Sequence, residues 1–123
     1  MPEPTAGADA LQREIAGIAA AGARYLRLDF DWSFIGRDPG TLDWSVVDRI
    51  VDTAQSCTLD VLGLVAYTPA WARPAGTSDH QPPSDNATFA AFARAAVERY
   101  APRGVHAWEV WNEPNLRVLV AEA

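Results

Sequence analysis

Three times along this chain, apolar residues at helical spacing give way to a short run rich in Val, Leu and Ile or in aromatic residues. That alternation limits the fold more than any other feature. Strands separated by helices of this length join in parallel through right-handed crossovers. In the first helical stretch Leu11, Ile15, Ile18 and Ala19 share a face; Asp9 is placed to cap it, with Gln12 three residues on, and Gly22 to end it. The second runs from about Trp44 to Ser56 behind an Asp43 cap, with Val46, Val47, Ile50, Val51 and Ala54 as its buried stripe. The third opens at Asp85 or Asn86 and carries Phe89, Phe92, Ala93, Ala96, Val97 and Tyr100 on one face. Strands are expected at about 24–30, 60–66 and 105–111. The middle one is apolar on both faces, as a buried parallel strand is. Because a helix comes first, a preceding strand is expected to be missing.

The 123 residues, 49% of them apolar, suit one soluble domain. They fall well short of the roughly 250 residues of a complete eight-unit barrel. Residues 1–8 read as a disordered tail, 9–115 as the domain and 116–123 as an atypical tail. Asp38-Pro39-Gly40 marks a turn, and Tyr67 to Asp85 is a long loop rich in Pro, Gly and Ser. The formal charge is −6 with no lysine, so nucleic acid and anionic membrane are not expected partners. No apolar run approaches the roughly 18 residues of a membrane span. The start, Met1 to Pro4, lacks the basic and apolar regions of a signal peptide, which leaves localisation open. The single cysteine, Cys57, reads as a packing residue. His80 and His106 have no ligand spacing, and Gly17 and Gly22 lack the lysine of a phosphate loop, so neither metal nor cofactor is expected. Asn86-Ala87-Thr88 fits a glycosylation sequon but reads as a helix opening.

Two strands carry charge where a parallel sheet is normally dry. In the first, Tyr25, Arg27, Asp29 and Asp31 share one parity. An Arg27–Asp29 ion pair on an edge strand is one reading; a polar mouth that handles a polar substrate is the other. In the last, Glu109, Trp111 and Glu113 share a parity. Two carboxylates on one face suggest a glycosidase pair, but four residues of strand separate them by about 13 Å. A retaining pair needs about 5–5.5 Å, so Glu109, lying deeper, reads as structural. Glu113 sits where strand turns to loop, the position of active sites in parallel α/β barrels; the bland reading is a solvated loop residue. Trp108 and Trp111 are candidates for apolar walls, and Asn112 for a hydrogen-bonding amide. Trp32, Tyr67 and Trp71 are candidate sugar platforms, whereas Trp44 reads as packing under a helix.

Trp108-Glu109-Val110-Trp111-Asn112-Glu113-Pro114-Asn115 resembles the fourth-strand motif of clan A glycoside hydrolases. Leu26-Arg27-Leu28-Asp29-Phe30-Asp31-Trp32 resembles that clan's second strand, and Ala66-Tyr67-Thr68-Pro69-Ala70-Trp71-Ala72 the third-strand end of its β-xylosidase-related and cellulase-like families. The resemblance covers Asp9 to about Asn115. It implies a partial (β/α)8 barrel from helix 1 to strand 4, and a retaining enzyme acting on β-linked oligo- or polysaccharides. On it, Glu113 is the general acid/base, Asn112 binds substrate or positions the nucleophile, and Arg27 supports the nucleophile. Trp32, Tyr67, Trp71 and Trp111 would line the sugar site. The clan's nucleophile lies on a seventh strand, which has no counterpart here.

Two functional expectations follow. One is a fragment of a retaining glycosidase, inactive alone. The other is a non-catalytic carbohydrate-binding or assembling α/β module, with self-association through exposed sheet edges. The tail Val118-Leu119-Val120-Ala121 bears on the first. If encoded GTT-CTG-GTN-GCC, it reads Phe-Trp-x-Pro one base later, the stretch with which relatives continue. A frame-shifted continuation is then one account of the tail, and simple truncation the other.

Overall fold

The computed structural model describes the backbone of residues 4–111 and the side chains of residues 9–111. Its elements are α1 (Pro4–Ala20), β1 (Tyr25–Asp31), α2 (Trp32–Ile35), α3 (Ser45–Ser56), β2 (Asp60–Ala66), α4 (Asn86–Tyr100) and β3 (Ala107–Val110), with 3-10 turns at Ala70–Ala72 and Ala101–Arg103. The expected alternation of helix and strand is therefore present. The strands form one parallel sheet in the order β1-β2-β3.

Three local expectations need correction. Helix α1 begins at Pro4 rather than at an Asp9 cap, inside the stretch read as a tail. Proline in a first turn sacrifices no helical hydrogen bond, so nothing there stops the helix. The turn α2 is an element that no helical spacing announces; the Asp31 side chain starts it by accepting from the Ser33 amide at 2.9 Å. Val46 and Val97, expected in buried stripes, are exposed. Val46 lies about 100° around the helix from Val47, off the arc that faces the sheet. The Asp85 cap accepts from the Ala87 amide at 2.9 Å; at α3 the N-cap position falls on Trp44, and Asp43, one residue earlier, accepts from the Ser45 amide at 3.0 Å.

The sheet has two unlike faces. Leu26, Leu28, Phe30, Val61, Val65 and Trp108 join Ile15, Val47, Val51, Phe92, Ala96 and Tyr100 in one apolar core under the helices. Phe30 sits edge-on to Tyr100 at 5.0 Å and against Trp108 at 4.9 Å. Gly63 makes room for this: a Cβ there would come within 2.6 Å of the Trp108 ring. Trp44 stacks on Phe92, in the packing role expected of it. Cys57 is half-buried against the same core.

The opposite face carries Tyr25, Arg27, Asp29, Leu62, Ala107 and Glu109, and Tyr25 is 62% exposed.

Candidate active site

Both β2 and β3 end abnormally. The residue after β2, Tyr67, has φ 70°, and the residue after β3, Trp111, has φ 66°. Bulky L-residues avoid this left-handed region, at a cost of about 1–2 kcal/mol each. The Trp111 amide still donates to Val65 O at 2.8 Å, so the kink falls as the strand leaves the sheet. The two rings meet with centroids 6.3 Å apart. His80, whose Nδ1 lies 3.0 Å from Asp79, stands edge-on to Tyr67 at 5.3 Å. Phe89 closes on Trp111 from α4 at 5.7 Å. Trp111 Nε1 is buried with no hydrogen-bond partner among the described residues. Paired strain of this kind at one end of a parallel sheet marks a place where side chains have been re-aimed.

Below this rim the sheet face is polar. Arg27 Nε donates to Glu109 Oε1 at 2.9 Å, reaching from β1 across β2 to β3. That hydrogen bond raises the Arg27 pKa, with a smaller electrostatic contribution from Asp29. Arg27 therefore pairs with Glu109 and not chiefly with Asp29. Between them Leu64, in register with Asp29 and Glu109, is fully buried. The parity of Arg27 and Glu109 hinted at a shared face. Their pairing depends on strand order, which no local pattern carries.

The expected site residues do not all converge. Tyr67 and Trp111 come together. Trp32 is 2% exposed, stacked on Phe92 at 5.6 Å and edge-on to Trp71, so it supports other rings and presents almost no surface of its own. Trp71 faces another way, beside Leu42, Phe92 and α2. Asn112 and Glu113 lie outside the described residues. Among the described residues, no group of His, Cys, Asp and Glu is arranged to hold a metal ion, and no helix is long and apolar enough to cross a membrane. Phe89 and His80 join the rim without having been singled out as ring partners. Phe89 was legible only as one more apolar position on a helix.

No protein-family model matches the sequence, and no curated protein does. Among solved structures, the chain is similar to a family 39 glycoside hydrolase from the gut symbiont Bacteroides cellulosilyticus WH2. The identity is 25% and the TM-score 0.70, over 85% of this chain. The chain spans 22% of that protein's length. The likeness supports a relationship to glycoside hydrolases, and the parallel three-stranded sheet with its helices is consistent with part of a TIM-barrel-like fold.

Proposed function

We propose that this chain is part of a retaining glycoside hydrolase of the clan A barrel type and carries its general acid/base, Glu113. One observation carries the reading. The left-handed Trp111, its ring against Tyr67, ends β3 immediately before Asn112-Glu113. The likeness to a glycoside hydrolase supplies the reaction class. Apolar rings beside a carboxyl group raise its pKa and keep it protonated near neutral pH. The acid then donates its proton to the departing glycosidic oxygen, and in the second half-reaction takes one from water. Asn112 holds a substrate hydroxyl or the nucleophile, Arg27 supports the nucleophile, and Tyr67 and Trp111 line the sugar, a β-linked oligo- or polysaccharide. No metal or cofactor has a role in this chemistry.

A retaining reaction needs a second carboxylate about 5–5.5 Å from the first. Glu109 is unsuited: its carboxylate is engaged by Arg27, which reaches it from β1 across β2. In this reading the nucleophile belongs to a longer barrel, and the 123-residue chain alone turns over no aryl β-glycoside.

The test uses a full-length relative carrying this segment. Glu113→Ala is expected to slow substrates with poor leaving groups by about 10² to 10⁴-fold. Activated aryl glycosides, which depart with little protonation, should lose far less. Equal losses in both classes would remove Glu113 from the acid role. A second reading, a carbohydrate-binding or self-assembling module without catalysis, draws on the polar sheet face opposite the helices. A soluble, cooperatively folding chain that binds saccharide, and is needed by no enzyme for turnover, would favour it.

A further inference from the structure

We propose that the chain has a second saccharide-binding position, separate from the candidate active site, with the indole of Trp71 as platform for one pyranose ring. The ligand class rests on the glycosidase reading; the position rests on the geometry that follows.

Trp71 is held firmly yet left open. Its Nε1–H donates to Gly36 O at 2.7 Å, and its ring stands edge-on to Trp32 at 5.9 Å. These contacts fix the plane of the indole, but the residue remains 41% exposed. Beside it lies a cavity of about 200 Å³, at or below the small end of ligand sites. Leu42, Ala91 and Phe92 form its apolar walls, and Asp38, Thr41 and Thr88 its polar margin. Thr88 Oγ1 donates to Asp85 O at 2.6 Å, which commits its proton and leaves its lone pairs to accept. The Asp38 carboxylate has no ion pair or side-chain hydrogen bond among the described residues.

An indole face with acceptors around it matches a pyranose. The axial C–H hydrogens of the sugar carry slight positive charge and suit the negative face of the ring. Its equatorial hydroxyls donate outward to Asp38 and Thr88. A wholly apolar ligand would cover the indole but make no use of the acceptors at its margin. Two packed rings separate this position from the rim. Trp32 touches Trp71 at 5.9 Å and Phe89 at 5.7 Å, and Phe89 in turn touches Trp111 at 5.7 Å. A sugar on Trp71 is thus walled off from the Tyr67–Trp111 pair.

The test is affinity electrophoresis of the whole chain through gels containing soluble xylan or mixed-linkage β-glucan, a measurement that tolerates oligomers. The wild-type chain should be retarded by at least one of the two. Trp71→Ala should weaken binding about tenfold or more, as loss of a central aromatic anchor does. Ala91→Arg should do the same by filling the cavity from an exposed helical position, with the Trp71–Trp32 packing left in place. Glu98→Gln, an exposed position on the same helix that does not line the cavity, should bind as the wild type does. No retardation by either polymer, or retardation that survives Ala91→Arg, overturns the proposal. Its failure is distinct from failure of the acid/base reading. Binding lost in Ala91→Arg but kept in Glu98→Gln stands whatever the leaving-group experiment returns.

Discussion

Gly63 and Thr68 are two residues of β2 and its exit where a single atom decides the local energy. A methyl on Gly63 would meet the Trp108 ring at 2.6 Å and the Phe30 ring at 3.1 Å, both inside a packed core. Overpacking of this kind typically costs about 1–3 kcal/mol, and Gly63→Ala is expected to lose that much in urea unfolding. Thr68 is the reverse case. It is fully buried, and its hydroxyl has no partner among the described residues. Thr68→Val keeps the shape and removes the unpaired oxygen. It is expected to leave stability unchanged or raise it by up to about 1 kcal/mol in the same assay. A clear loss would mean that the hydroxyl is bonded after all. The strained Tyr67 and Trp111 belong to the same scale: each side chain is set by one backbone dihedral that an ordinary strand end would not adopt.

Asp48 joins the second and third long helices. From α3 it accepts hydrogen bonds from Arg99 Nε and Nη2 at 3.1 and 2.5 Å, from the Tyr100 hydroxyl at 2.7 Å and from Arg103 Nη1 at 3.2 Å. The Arg99 guanidinium also lies over the Trp44 ring at 5.8 Å. Hydrogen bonding from Arg99 holds the Asp48 pKa below its usual value, against the opposing effect of burial. Burial, reinforced by the bond to Asp48, pushes the Tyr100 phenol up. Asp48→Ala would leave that buried phenol without its acceptor, and is expected to cost about 1–3 kcal/mol. The sign of the pH dependence follows from the lowered carboxylate. Its contribution is complete above the unfolded value of about 3.9 and disappears as pH falls through the lower folded value. The stability gap between wild type and Asp48→Asn should be flat from neutrality down to about pH 5, then close below about pH 4. A gap that persists at pH 2 would assign the effect to packing.

At the scale of the molecule, the three strands leave β1 and β3 as edges of the described sheet. The face bearing Arg27, Asp29 and Glu109 lies opposite the core formed with the helices. Unpaired edges recruit other strands. The chain by itself is therefore expected to self-associate, with elution volume on sizing chromatography falling as concentration rises. A monomer at every concentration with one sharp thermal transition would contradict this. In a longer barrel the same edges would pair with further strands, and the Arg27–Glu109 bridge would lie inside. There, Glu109→Gln is expected to reorient Arg27 and lower turnover without touching the substrate.

Periodicity is a local property, and it was enough to read the order helix, strand, helix, strand, helix, strand, along with the cap at Asp85 and the packing of Trp44. The start of α1 was not legible, because Asp9 with Gln12 three residues on has the look of a cap, whereas the helix runs through it from Pro4, a residue that costs no hydrogen bond in a first turn. Nor was α2, whose Asp31 cap depends on where the chain points as it leaves β1. Arg27 and Glu109 are 82 positions apart; they meet only because the sheet sets β1, β2 and β3 side by side in a particular register. Tyr67 and Trp71 are four positions apart and looked like one site, yet the left-handed turn at Tyr67 and the bond from Trp71 to Gly36 send them to opposite sides of Trp32 and Phe89. Sequence determined which segments become helix and strand, because hydrophobic spacing acts over a few residues. Tertiary structure alone decided which charges pair and which rings share a cavity, because those contacts depend on strand register and backbone direction summed over the whole sheet.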